Sequence, residues 1–404
     1  MDSVETLTVV VECVIAALVL IFVTKKPTLA GIMAVVAAGI IGNMMYGSTS
    51  VPISGTDLVG GRTTMNAAYF SPGAQHDVDV SKDVPIPSRH MYNQLFVEVT
   101  AAGLNPSNFK INLKRIPLVR HLASHYVVGY DFVGTVRSVG SAAGCADFKV
   151  GDKVYGVATG SMAEYAVAMC GMVGRAPSSL SDAQVAGLPV AALTSLEAWE
   201  RGGLKPGMRV LVIGASGGTG IFGVTIGKVM GGHVTGICSA RNTEFVNSLT
   251  PAPDRLVDYT SSAEMDALIA EGAQFDIIYD TVTSFAPEDP DYEPSMRPLL
   301  RPGGSYIAIN GYHMDWIRGL LDALIVAPLV GRPGLAQRKD YCLFLLDPST
   351  RAANLLADYF DRGLLLDAPI DSTFRLERGE MHRAFDRMKG RRTVGKIIID
   401  VRQD

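Results

Sequence analysis

Arg209 to Ile213 (RVLVI) is an apolar run of the kind that forms a strand buried on both faces, and it leads directly into Gly214-Ala215-Ser216-Gly217-Gly218-Thr219-Gly220 and a helical stretch ending near Met230. The order strand, glycine turn, helix supplies what a pyrophosphate needs: a tight bend, a backbone that can be approached closely, and free amide hydrogens at a helix N-terminus. The pattern then repeats. His233 to Cys238, Arg255 to Asp258, Phe275 to Asp280 and Ser305 to Ile309 read as four further strands, most of them separated by helical patterns. A doubly wound parallel sheet that binds a dinucleotide is therefore expected over residues 189–345.

The end of the second strand selects the dinucleotide. A fold that prefers NAD places a carboxylate ~20 residues after the glycine turn to accept from the ribose 2′-hydroxyl, and that carboxylate would repel a 2′-phosphate. Cys238-Ser239-Ala240-Arg241-Asn242 carries a hydroxyl, a cation and an amide there, and no acid. NADPH is the expected cofactor, with Arg241 or Ser239 meeting the 2′-phosphate.

The N-terminus has a different character. Leu7 to Val23 holds a single charge, Glu12, and Leu29 to Met45 holds none, so each is near the ~20 apolar residues that a bilayer requires. Lys25-Lys26-Pro27 reads as a turn between them. The simplest picture is a transmembrane helical hairpin over residues 1–47 that contacts the bilayer through residues 7–45. A cleaved targeting sequence followed by one helix, or two buried helices, are the alternatives. Residues 48–61, rich in Gly, Ser, Thr and Pro, read as a linker. Met314 to Val330 is a second apolar stretch, read as a dimer or interdomain contact or as a surface resting on lipid.

Residues 62–188 carry short alternating bursts such as Leu95 to Val99 and Phe132 to Val139 between Gly, Pro and Asn, which predicts a compact β domain. The five cysteines are scattered without a Cys-x-x-Cys pair, giving no support for a disulfide framework or a cysteine-rich zinc site. The seven histidines show no metal spacing. With 36 basic against 40 acidic residues and no long basic run, nothing points to nucleic acid.

Ala102-Gly103-Leu104-Asn105-Pro106-Ser107-Asn108, Gly129-Tyr130-Asp131-Phe132-Val133-Gly134, Gly151-Asp152-Lys153-Val154-Tyr155-Gly156, Leu188-Pro189-Val190-Ala191-Ala192-Leu193-Thr194 and the Gly214 to Gly220 turn occur in that order. In this the chain resembles the medium-chain dehydrogenase/reductase superfamily, in its zinc-independent quinone-oxidoreductase branch, and is most like the mitochondrial reticulon-interacting NADPH oxidoreductases. The resemblance runs from about Met65 to Val401. It implies a GroES-like barrel over 62–188, completed by a C-terminal return over 346–404, with an active cleft against the Rossmann domain. It further implies that Ser216, Gly217, Gly218 and Thr219 hold the pyrophosphate within the turn bounded by Gly214 and Gly220, and that Ser239 and Tyr259 lie toward the adenosine phosphate end, where the residues themselves already offer Arg241 and Asn242. Asn105 and Thr194 would line the nicotinamide side, while Thr393-Val394-Gly395-Lys396 would close over the cofactor.

The chain departs from the family pattern in two places: Asn108 stands where an aspartate is usual, and Thr281-Val282-Thr283 replaces asparagine-valine-glycine. Tyr130-Asp131 replaces the histidine-glutamate pair of the zinc-dependent relatives, and Asn105 replaces their cysteine, so no metal is expected. A quinone suits such a site, because its reduced anion is delocalised and asks for little oxyanion stabilisation. A small hydrophobic carbonyl substrate would ask for a proton donor; Tyr130 is the first candidate, with Asn105 and Tyr155 the other polar groups. The expectation is a membrane-anchored NADPH oxidoreductase, in a mitochondrial membrane or else that of a plastid or the endoplasmic reticulum. The competing expectation is a non-catalytic accessory subunit of a membrane complex built on the same fold. A homodimer is a further possibility at the level of partners.

Overall fold

The computed structural model describes residues 50–52, 59–71, 73–110, 126–283, 290–309, 337–338, 341–343 and 346–402. The expected hairpin over 7–45 and the apolar stretch Met314 to Val330 lie outside the described residues. No helix among the described residues is long and apolar enough to cross a membrane.

Two seven-stranded sheets organise the chain. In one, Arg209–Ile213 sits centrally, with His233–Cys238 and then Arg255–Asp258 on one side, and Phe275–Asp280, Leu300–Ala308 and Tyr341–Leu343 on the other, all parallel. Gln337–Arg338 closes the far edge antiparallel. This order reverses direction beside Arg209–Ile213, and that crevice at the carboxyl ends of the strands is where such sheets take their ligands. Val210 to Ile213 are fully buried, as a strand covered by helices on both faces requires. The fifth of these strands begins at Leu300 rather than Ser305, because Leu300 already pairs with Phe275, and a register shift carries the strand past residues 301–304 to Ser305 opposite Ile277.

The other sheet is the barrel. Its order is Ile370–Arg375, Lys396–Asp400, Gln94–Leu104, Asp131–Val139, Lys153–Val157 and Val173–Arg175, with Tyr165–Met169 also paired to the long strand Gln94–Leu104. The C-terminal strand enters antiparallel, Ile397 opposite Leu104 and Ile399 opposite Ala102. Alternation along it sends Ile397 and Ile399 into the barrel core and Ile398 into the core shared with the nucleotide domain. The helix Thr350–Asp361, capped by Ser349 through the Ala352 N–H, buries Ala352, Ala353, Leu356 and Phe360 in that shared core. Burial of this face is what joins the two sheets into one body.

Two features differ from expectation. Ser50–Pro52, within the stretch read as linker, pairs antiparallel with Arg89–Met91, whose backbone offers a free edge. Cys145 and Cys170 form a disulfide with Cα atoms 5.2 Å apart. A separation of 25 residues gives no local signal for this bridge, which arises because barrel closure brings two short 3₁₀ turns together.

Candidate nucleotide and acceptor site

The glycine turn is built by close backbone approach. Gly214 has φ +86°, and a side chain there would strike Val282 and Thr281, whose hydroxyl donates to the Ile213 carbonyl at 2.7 Å. At Gly220 a Cβ would lie 2.0 Å from the Gly214 carbonyl oxygen, so only glycine lets the helix start this near the strand. The helix Gly218–Val229 has no side-chain cap. Its first-turn amides and the positive end of its dipole therefore face the crevice, which suits a diphosphate. Gly217 is extended, and a Cβ on it would meet only the Gly214 oxygen, at 3.3 Å, so space lies open above it.

The residues expected at the adenosine end lie around the turn after the second strand. Asn242 Nδ2 donates to Ser216 Oγ at 2.9 Å, tying the turn after the second strand to the glycine turn. Ser239 is buried, Arg241 is exposed, and Tyr259 is 46% exposed at the rim. Sequence reasoning missed Asp258, which accepts from Ala240 N at 2.8 Å, Thr260 N at 2.9 Å and Thr260 Oγ1 at 2.7 Å. Those bonds, the Thr260 hydroxyl foremost, hold its carboxyl below the usual range. Its oxygens are thus already engaged, although its charge borders the pocket.

On the side expected to take the nicotinamide, the C-terminal return meets the glycine turn. Gly217 and Gly395 form a parallel bridge, and Lys396 N donates to the Pro369 carbonyl at 3.0 Å. Thr393 is partly buried just ahead of this contact, and Thr194 is buried at the start of the helix Thr194–Gly202. The stem of Lys396 passes beside Gly218, where a Cβ would come within 3.1 Å of its Cδ. Its Nζ donates to Asn105 Oδ1 at 2.5 Å and Asp131 Oδ2 at 3.1 Å, both within the same barrel. Asp131 Oδ1 in turn accepts from Val190 N at 3.0 Å. Lys396 thus ties the returning C-terminal strand to the barrel segments at Asn105 and Asp131 while its stem lies against the glycine turn. A lone charge inside each of two apolar segments was the available signal, since such charges are rarely buried unless paired.

A small open cleft is lined by Phe70, Asn108, Tyr126 and the run from Val127 to Tyr130. Burial pushes the Tyr130 phenol above its ordinary value, and neighbouring Tyr126 adds to the shift. Tyr155, the other candidate phenol, is placed elsewhere: it is fully buried and donates to the Ala353 carbonyl at 2.7 Å. Its role is to fasten the helix Thr350–Asp361 to the barrel.

Comparisons with known proteins agree with this architecture. Residues 92–186 match the alcohol dehydrogenase GroES-like domain and residues 253–399 the zinc-binding dehydrogenase family. The chain is 32% identical over 231 residues to the mitochondrial NAD(P)H oxidoreductase RTN4IP1 of Bos taurus, covering 52% of this chain and 57% of that protein. It is 35% identical over 205 residues to the chloroplast envelope quinone oxidoreductase homolog of Arabidopsis thaliana, covering 48% of this chain and 61% of that protein. The matches thus span about six tenths of the length of these two curated relatives. A solved quinone oxidoreductase from Coxiella burnetii superposes with a TM-score of 0.66 at 25% identity, covering 84% of this chain and 99% of the other. With the barrel, the doubly wound sheet and the glycine turn in these positions, the chain belongs to the medium-chain dehydrogenase/reductase superfamily.

Proposed function

We propose that this chain is an NADPH-dependent oxidoreductase that passes a hydride to a quinone or related conjugated carbonyl compound, tethered to a membrane through residues 7–45. The observation that carries the reading is the contact of Gly395-Lys396 with Gly217-Gly218 on one side and with Asn105 and Asp131 on the other. On this reading the diphosphate berth lies at one end of that short segment and the acceptor side of the barrel at the other. The names of the relatives, an NAD(P)H oxidoreductase and a quinone oxidoreductase homolog, support the same chemistry.

Bound NADPH supplies the hydride. The residues of this chain bind, orient and shield. The uncapped amides after Gly217 take the diphosphate, Ser239 and Arg241 the 2′-phosphate, and Thr194 and Asn105 flank the nicotinamide side. Lys396 and Asp131 fix the Asn105 amide, and Tyr130 holds a proton at its hydroxyl. Support for the tether comes from the two apolar runs at the N-terminus, and for a mitochondrial membrane from the relative named as mitochondrial.

Titration of the full chain in detergent with NADPH, followed by oxidation of NADPH in the presence of short-chain quinones, tests the reading. Binding with turnover is expected. Binding without turnover on any quinone would overturn the substrate class. No binding would leave a scaffold on a retained fold, the accessory-subunit alternative.

A further inference from the structure

Asp371 is the extra residue where the strand Ile370–Arg375 meets Lys396–Asp400. Ile370 pairs with Lys396 and Ser372 with Ile397, so Asp371 falls outside the ladder. Bulges are uncommon in parallel pairs and re-aim a side chain. This one carries a carboxylate whose side chain is 4% exposed and whose two oxygens each accept two hydrogen bonds. Oδ1 accepts from Val394 N at 2.9 Å and Arg387 Nη2 at 2.6 Å, and Oδ2 from Arg387 Nε at 2.8 Å and Ser372 Oγ at 2.9 Å. Arg387 Nη2 also donates to the Arg392 carbonyl at 3.3 Å. The ion pair therefore grips the backbone on both sides of Thr393, by an N–H at Val394 and a carbonyl at Arg392. The next residue, Gly395, bridges Gly217 of the glycine turn.

We propose that Asp371 and Arg387 are positioning residues for the nicotinamide half of the cofactor, acting through Thr393 to Gly395, which they hold against the glycine turn. The inference rests on the oxidoreductase reading and adds what fixes the segment that closes on the nucleotide. The loop between the helix Arg378–Lys389 and the strand Lys396–Asp400 does not set its own course. Arg391 stands at φ +53° and Gly395 at φ +91°, both in a region that side-chain-bearing residues avoid. External bonds are what specify its path. Because the segment meets the site at Gly217 and Gly218, the adenosine end at Ser239 and Arg241 is indifferent to it. That asymmetry separates positioning from general stability.

The test titrates the full chain in detergent with NADPH and with 2′,5′-ADP, which keeps the adenosine end and lacks the nicotinamide half. Asp371→Asn retains the size of the side chain and an acceptor for Val394 but removes the ion pair. It is expected to weaken NADPH by about tenfold, the order of one lost charge-assisted hydrogen bond, while 2′,5′-ADP changes by less than about twofold. Equal losses for the two probes, or unchanged NADPH affinity, overturn the proposal and leave the oxidoreductase reading standing. Backbone amide exchange of residues 391–395 in the wild type supplies an arm that needs no variant. NADPH is expected to slow it more than 2′,5′-ADP does, and equal protection by the two overturns the proposal. A wild type that binds no NADPH sinks the oxidoreductase reading and this inference together. Discrimination between the probes without turnover of any quinone supports the positioning role and overturns only the substrate class.

Discussion

Lys396 Nζ lies 3.1 Å from Asp131 Oδ2, both groups buried, one on the returning C-terminal strand and the other at the head of a barrel strand. Removing two charges from water costs several kcal/mol, and here the cost is offset by mutual attraction plus the Asn105 and Val190 hydrogen bonds. Breaking one side strands the other. Lys396→Met is expected to lower unfolding free energy by about 3–5 kcal/mol, the range for an orphaned buried charge. Asp131→Asn should also destabilise, and the double variant should fall short of the summed losses by at least about 1 kcal/mol, since contacting residues couple. Urea unfolding of the four proteins gives the coupling, and strict additivity would deny the pair its role.

Gly217 and Gly220 separate folding from binding within one turn. A Cβ at Gly220 would overlap the Gly214 oxygen at 2.0 Å, whereas one at Gly217, whose φ of −78° suits any residue, would meet that oxygen only at 3.3 Å. Gly220→Ala should therefore depress Tm and nucleotide affinity together. Gly217→Ala should leave Tm within a few degrees but weaken NADPH at least tenfold, about 1.4 kcal/mol, by placing a methyl group where the diphosphate approaches. Calorimetric titration beside a melting curve reads both.

The nucleotide half was legible because its signals are local. Arg209–Ile213, His233–Cys238, Arg255–Asp258 and Phe275–Asp280 fall where the apolar runs place them, and the Gly214 to Gly220 turn follows from a spacing that only close backbone approach explains. The barrel was legible as short strands but not as a closed sheet, since Lys396–Asp400 pairs with Gln94–Leu104 across nearly the whole domain pair. Long-range partners were the part that spacing does not encode. Cys145 with Cys170, Lys396 with Asp131 and Tyr155 with Ala353 each join segments brought together only by the completed fold.

Tyr130 shares the cleft with Tyr126, whereas Tyr155 lies away from it. Burial raises the pKa of Tyr130 above the ordinary tyrosine value of 10.0, so it stays protonated throughout the working range and can donate. Tyr130→Phe should lower kcat on a quinone by roughly tenfold or more, within the range of a general acid, while KM for NADPH holds. Unchanged kcat would reduce the residue to packing. Tyr155→Phe should instead lower Tm with kcat unaffected.

Arg241 stands exposed on the turn whose Ala240 N–H is held by Asp258. A guanidinium there would offset the bordering carboxylate and meet a 2′-phosphate by a charge-assisted bond of about 1.5–3 kcal/mol. Arg241→Ala should weaken NADPH by about tenfold or more while NADH changes by less than about twofold. Asp258→Asn should act in the opposite sense, tightening NADPH modestly at low salt. Equal losses of NADPH and NADH in Arg241→Ala would remove the assignment.

Glu197 couples stability to pH away from the chemistry. Burial pushes its carboxyl up to about 7, the Asp347 N–H pulls the other way at 3.2 Å, and Oε1 has no partner. The folded protein therefore holds a proton on Glu197 that the unfolded chain releases near the ordinary value of 4.5. Stability from this group is complete below the unfolded value and is lost as pH rises through the folded one. Because the side chain is only partly buried, screening trims the loss to about 1–2 kcal/mol, or roughly 2–4 °C in Tm between pH 5 and 8. Glu197→Gln keeps an acceptor for Asp347 without the charge. Its Tm should match wild type near pH 5 and exceed it near pH 8, and a constant difference across that interval would show that Glu197 does not titrate there.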